Sequence, residues 1–404
     1  MPRTPLGSKL PDFPWDTIAD VKERAAAHPD GIVDLSVGTP ADPVSPSIQL
    51  ALAENAAEPG YPQTVGTPEL RQAIVDALTR RYNAAGLGPD SVLPVVGTKE
   101  AIAWLPTTLG FSESTVAIPE VAYPTYEVGA LIAGCRVVRA DTPEDAAGAE
   151  LVFINSPSNP SGQVRSIDEL RAWVQYARDT HAIIASDECY LGLAWSAEPV
   201  SLLDPRVTDG DNTNLVAIHS LSKTSNLASY RAGFLAGDEA LIQELLLARK
   251  HAGLMVPGPI QHAMIAALVD DEHEQLQRLI YAKRRAVLSD ALTNAGFSID
   301  HSEAGLYLWA RREGATSRDS LDWLAQRGIL AAPGDFYGPA GANHVRVALT
   351  ATTTECGGTE SATPTGQLER ECQHDTVTGH PDRVAPGDGP AVDVDLLRIH
   401  HEHL

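Results

Sequence analysis

The chain is poor in several things at once. Of its 404 residues, four are cysteine, three methionine, six phenylalanine and six lysine. Cys135, Cys189, Cys356 and Cys372 show no paired spacing, so no disulfide framework is expected and the setting reads as reduced and cytoplasmic. Positive charge is also short: 30 basic against 53 acidic side chains leave a net charge of −23. A nucleic-acid or anionic-membrane partner needs a basic face, so neither is expected. No run approaches the ~18 apolar residues of a membrane span. The opening Met1-Pro-Arg-Thr-Pro-Leu-Gly-Ser-Lys-Leu10 has no apolar stretch of the kind a secretory signal needs.

What is present is an α/β pattern. Short apolar runs at 91–97, 115–119, 151–155, 182–186, 215–220 and 232–236 predict strands of a mostly parallel sheet. Helices are predicted at 67–82, 99–109, 166–180 and 239–251, and a long one at 271–295. Ser166-Ile-Asp-Glu169 reads as a capping box, in which two side chains satisfy each other's free amides. A strand at 306–310, a helix near 319–326 and a strand at 344–349 suggest a smaller α+β part. From Thr352 the composition changes abruptly, to a stretch without Phe, Tyr, Trp or Lys and rich in Thr, Gly, Pro, Asp, Glu and His. Such a stretch buries too little to offset its ordering entropy and is expected to be a disordered tail. Cys356, Cys372, His374 and His380 match no zinc spacing, so no metal site is expected.

The chemistry concentrates at predicted strand ends. Five lysines lie in the polar N-terminus or on predicted helices. Lys223 instead follows a buried-strand pattern in Ser220-Leu-Ser-Lys223-Thr-Ser-Asn-Leu-Ala-Ser-Tyr-Arg231. A lysine there, with hydroxyls and an arginine beside it, suits a Schiff-base nucleophile next to an anion site; an ordinary surface lysine is the plain alternative. Asn155-Ser-Pro-Ser-Asn159-Pro-Ser-Gly162 forms a rigid turn where α/β sheets bind ligands, or simply a loop. Asp187 closes the next apolar run, so its carboxylate sits at the rim of a buried sheet and needs a partner. A pyridinium nitrogen would serve; a helix cap is the alternative.

These three pieces, in this order, resemble the class I/II branch of the aspartate-aminotransferase superfamily, the fold type I enzymes that use pyridoxal 5'-phosphate (PLP). The likeness covers about residues 12–351. Phe13-Pro-Trp-Asp, Asp34-Leu-Ser-Val-Gly-Thr-Pro, Ser186-Asp-Glu-Cys-Tyr-Leu-Gly and Ala332-Pro-Gly-Asp-Phe-Tyr-Gly resemble, more narrowly, actinobacterial N-succinyldiaminopimelate aminotransferases. The implied architecture is α/β. An N-terminal segment (1–44) would join a small domain (286–351), a large PLP-binding domain would span 45–285, and 352–404 would be an atypical tail.

The resemblance also implies roles. Lys223 would link to PLP and then act as general base and acid. Asp187 would keep the pyridine nitrogen protonated. Asn159 and Tyr190 would hydrogen-bond the phenolic oxygen, and Tyr123 would stack on the ring. Gly97, Thr98 and Lys99, between a strand and a helix, would meet the phosphate together with Ser220, Ser222 and Arg231; Lys99 has no fixed role in the family. Tyr61 would reach the phosphate of a second subunit, which implies a homodimer. Arg346, with Gly38 close by, would hold the substrate α-carboxylate. The partners would then be an amino donor (glutamate) and a keto-acid acceptor, N-succinyl-2-amino-6-ketopimelate, in lysine biosynthesis. Lys250, in Arg249–Pro257, is a candidate for the distal carboxylates.

The likeness has limits. Relatives continue after the arginine strand with an amphipathic helix, which is replaced here. An altered reading frame would produce such a change. A different aminotransferase, a PLP lyase and a catalytically damaged paralogue are the alternatives.

Overall fold

The computed structural model describes residues 5–351. The tail from Thr352, with its composition change, lies outside the described residues.

Every predicted strand forms. The large sheet has seven strands: β2 (Val92–Val96), β3 (Thr115–Ile118), β4 (Arg136–Arg139), β5 (Leu151–Asn155), β6 (Ile183–Asp187), β7 (Leu215–Ser220) and β8 (Ala232–Gly237). Their order is β2-β8-β7-β6-β5-β3-β4. Only β8 runs against its neighbours, pairing antiparallel with β2 and β7. All other pairs are parallel. β5 and β6 are buried along their whole length, as strands covered on both faces must be. That is why they read as unbroken apolar runs rather than as alternations.

The smaller part is built on other pairings. β9 (Phe297–Asp300), β10 (Tyr307–Arg312), β12 (Ala332–Pro333) and β13 (His344–Ala348) form an antiparallel sheet in the order β12-β13-β10-β9. β1 (Val33–Asp34) pairs in parallel with β11 (Ile329–Leu330), which ties the N-terminal segment to this part. Its core joins Ile18, Val21 and Leu35 to Leu288, Leu308, Leu321 and Val347.

The helices are α1 (Ala19–Ala26), α2 (Pro46–Glu54), α3 (Pro68–Tyr82), α4 (Thr98–Thr108), α5 (Thr125–Ala133), α6 (Ile167–Thr180), α7 (Pro205–Thr208), α8 (Glu239–Ala252), α9 (Gly258–Val269), α10 (Glu272–Asn294) and α11 (Ser317–Ala325). The capping box of α6 forms: the Ser166 hydroxyl accepts from the Glu169 amide at 3.2 Å, and the Glu169 carboxylate accepts from the Ser166 amide at 2.7 Å. The α1, α2, α5, α7 and α9 helices were not predicted. α5 is short and has Gly129 at its centre, which weakens its helical signal. The glycine has a packing reason, because a Cβ there would lie 2.9 Å from the Ala103 carbonyl oxygen on α4. None of the described helices is long and apolar enough to cross a membrane.

Candidate active site

Five strands end at the same edge of the large sheet, and their trailing loops carry the chemistry. The parallel register places Asn155 on β5 opposite Asp187 on β6, and Asp187 opposite Ile218 on β7. Here the sheet opens into a cavity of about 450 Å³. Gly38, Thr98, Lys99, Tyr123, Asn159, Asp187, Tyr190, Ser220, Ser222, Lys223, Arg231 and Arg346 all line it. So twelve of the fourteen residues given a cofactor or α-carboxylate role from the sequence share one cavity, though they come from five loops, the start of α4 and two sheets.

The other two lie close by or outside. Gly97 precedes the first turn of α4 with φ +83°, and a Cβ on it would overlap the Arg231 guanidinium. Only glycine lets that cation come so near the free amides of a helix N-terminus. Tyr61 does not line the cavity; it is 97% exposed.

Asp187 is buried, and its carboxyl is pushed up by that burial. The Tyr126 hydroxyl donates to one of its oxygens at 2.7 Å and the Cys189 amide to the other at 3.2 Å, which opposes the rise. Lys223 donates from Nζ to the Gly38 carbonyl. Burial lowers its pKa, and the positive charges of Arg346 and Arg231 push the same way. Arg346 is buried on β13, donating to Asn159 Oδ1 at 2.9 Å and to the Ser36 carbonyl at 2.6 Å. Its Nε has no partner. The Tyr123 phenol is pushed up to about 12 by burial.

Some of the site was not anticipated. Tyr126 lies three residues after Tyr123, one helical turn away, and its hydroxyl orients Asp187. Tyr307 lies within the predicted 306–310 strand, and a tyrosine in a buried strand signals a hydroxyl that needs a partner. Phe13, Trp15, Val37 and Ile102 form an apolar mouth. Trp15 packs on Phe336 at 5.4 Å between ring centroids, and the Lys99 ammonium stands 5.7 Å from the Phe13 ring. Lys250 does not line this cavity. Its neighbour Arg249 turns inward and pairs with Glu100 at 2.7 Å, so the segment 249–257 brings no basic group to the cavity of its own chain.

The residues fit PLP. A buried carboxylate whose ionised form is costly until a cation meets it stands ready for a cationic ring nitrogen. A close-packed glycine–arginine cradle suits a phosphate, and a desolvated lysine suits an aldehyde. Fold and cavity together define the class: a fold type I, aspartate-aminotransferase-like PLP enzyme. A family model described as aminotransferase class I and II matches residues 30–357, and the chain belongs to that family. It is 61% identical over 350 residues to Rv1178 of Mycobacterium tuberculosis, named as a probable aminotransferase; the match covers 86% of this chain and 84% of that one. It is 52% identical over 347 residues to OxyQ of Streptomyces rimosus, a 4-dedimethylamino-4-oxo-anhydrotetracycline transaminase, covering 85% and 96%. Among solved structures, a probable N-succinyldiaminopimelate aminotransferase of Thermus thermophilus superposes with a TM-score of 0.79 at 26% identity, covering 87% of this chain and 99% of that one.

Proposed function

We propose that this aminotransferase moves the amino group of glutamate to N-succinyl-2-amino-6-ketopimelate, giving N-succinyl-LL-diaminopimelate and 2-oxoglutarate (EC 2.6.1.17). The observation that carries the reading is the arrangement of cations. Arg346 is fixed deep in the cavity, whereas Lys99 stands at its rim, and no carboxylate among the described residues pairs with it. A substrate with carboxylates at both ends would span the two. The name of the Thermus neighbour agrees with this chemistry.

PLP, when bound, supplies the electron sink for the amino-acid α-carbon. The chain supplies the rest. Asp187 pairs with the ring nitrogen, Asn159 and Tyr190 donate to the phenolic oxygen, and Tyr123 covers the ring. Gly97, Thr98, Ser220, Ser222 and Arg231 hold the phosphate. Arg346 takes the α-carboxylate, with the Gly38 backbone approaching it. Lys223 Nζ removes and returns the α-proton; its lowered pKa brings a free amine closer to neutral pH. Tyr61, exposed here, would complete the phosphate site of a second copy in a homodimer. The segment 1–44 and residues 286–351 would act as one small domain against 45–285.

A second reading draws on OxyQ: the aromatic mouth of Phe13 and Trp15 would suit a ring-shaped ketone as acceptor. Spectra of the PLP-loaded protein separate the two. Glutamate should convert the cofactor absorbance to that of its amino form. The succinylated keto acid should restore it faster than a cyclic ketone does. No response to glutamate would remove the donor assignment, and the reverse acceptor order would favour the second reading.

A further inference from the structure

Tyr307 is a cavity side chain that touches both halves of the site. Its ring lies under the Arg346 guanidinium, 4.0 Å from ring centroid to carbon. Its hydroxyl lies 3.2 Å from the hydroxyl of Tyr190. The two rings meet edge to face, with centroids 5.8 Å apart. The hydroxyl occupies the space a Cβ would take at Gly38, so a side chain at 38 would displace it. The Gly38 carbonyl is in turn the acceptor for Lys223. Both tyrosines are buried. A phenylalanine would fill the same ring volume, and a buried hydroxyl is costly unless bonded. Tyr190 is the partner that the structure gives it.

We infer that Tyr307 is a positioning residue that sets the hydrogen-bond direction of Tyr190 and joins it to the carboxylate-binding Arg346. The inference rests on the reading above, in which Tyr190 donates to the phenolic oxygen of PLP. A phenol has one proton to give. If Tyr190 spends it on the cofactor, the Tyr307–Tyr190 bond must run from Tyr307 as donor to Tyr190 as acceptor. Donation into Tyr190 polarises its own O–H and makes it the stronger donor. With PLP bound, the stronger donor at Tyr190 would lower the pH at which Lys223 Nζ gives up its proton. Arg346, packed on the same ring, holds Tyr307 in the position that this chain of donors needs.

The test is a pH titration of the cofactor absorbance in the PLP-loaded protein and three variants. Tyr307→Phe should raise the titration midpoint by about half a unit to one unit, the usual worth of one such bond. PLP content, thermal midpoint and the KM for glutamate (within about twofold) should stay as in the wild type, since the ring under Arg346 is kept. Tyr190→Phe should raise the midpoint further. Adding Tyr307→Phe to it should change nothing more, because the route through Tyr190 is already cut. An unchanged midpoint in Tyr307→Phe overturns the inference. So does a full Tyr307→Phe shift in the Tyr190→Phe background, which would mean that the effect bypasses Tyr190. A wild type whose cofactor absorbance does not titrate at all would remove the Lys223 reading itself, and the inference with it.

Discussion

A carboxylate under apolar cover is costly until a cation meets it, and Asp187 is such a group. Burial raises its pKa, so between the ordinary carboxylate range and the raised value the folded protein binds a proton that the unfolded chain lacks. Its contribution to stability therefore falls as pH rises through that window, and at neutral pH without PLP it is a net cost. Asp187→Asn should raise the melting temperature of the cofactor-free protein at pH 7 while lowering transamination by about 100-fold or more, because the ring nitrogen loses its counter-charge. Calorimetry and steady-state kinetics on the same preparation check both halves. Lys223→Ala should cost about 10²–10⁴-fold in rate with the thermal midpoint little changed. Arg346→Lys keeps a charge but loses the planar fork, and should raise the KM for glutamate about 10-fold, read from initial rates. Lys223 and Asp187 stood out because each is a chemically odd residue at the end of an apolar run, whereas Arg346, in the middle of a strand, was singled out through the family resemblance. Tyr307 and Tyr126 were not, since an aromatic residue in a core pattern looks like packing until its hydroxyl is seen to have a partner.

At the level of elements, what decided legibility was how each one is covered. β5, β6 and β7 announce themselves because sheets buried on both faces demand continuous apolar runs. β1, β11 and β12 have two residues each and exist only because distant segments pair with them. No local signal can specify such strands. α9 was missed because it is apolar around most of its circumference, which erases the helical period. Gly129 shows how a packing position that does not line the cavity bears on it. A β-branched side chain at 129 would press on the backbone of α4, the helix whose first turn follows Gly97. Gly129→Val should therefore destabilise the fold by about 1–3 kcal/mol in urea unfolding and weaken PLP retention in dialysis.

On the scale of the whole molecule, the exposed Tyr61 is the side chain whose proposed role needs a second copy. Co-expression of Lys223→Ala and Tyr61→Ala chains decides it. In a mixed dimer one site would take its lysine from one copy and its tyrosine from the other, so activity should exceed that of either parent. Activity no higher than half that of Tyr61→Ala alone would place the tyrosine's effect within its own chain. The family likeness reaches residue 357, and a net charge of −23 agrees with small-molecule chemistry.

The hydrogen bond from Arg346 to the Ser36 carbonyl joins residues 310 positions apart. The groups proposed for the cofactor, by contrast, lie between Gly97 and Arg231 apart from Tyr61. During synthesis at ~5–20 residues per second, about 15 to 60 seconds separate the appearance of Ser36 from that of its partner. A nascent chain should therefore acquire the parts of its cofactor pocket well before it can hold a substrate, and the last catalytic capacity to appear would be recognition of the amino acid itself.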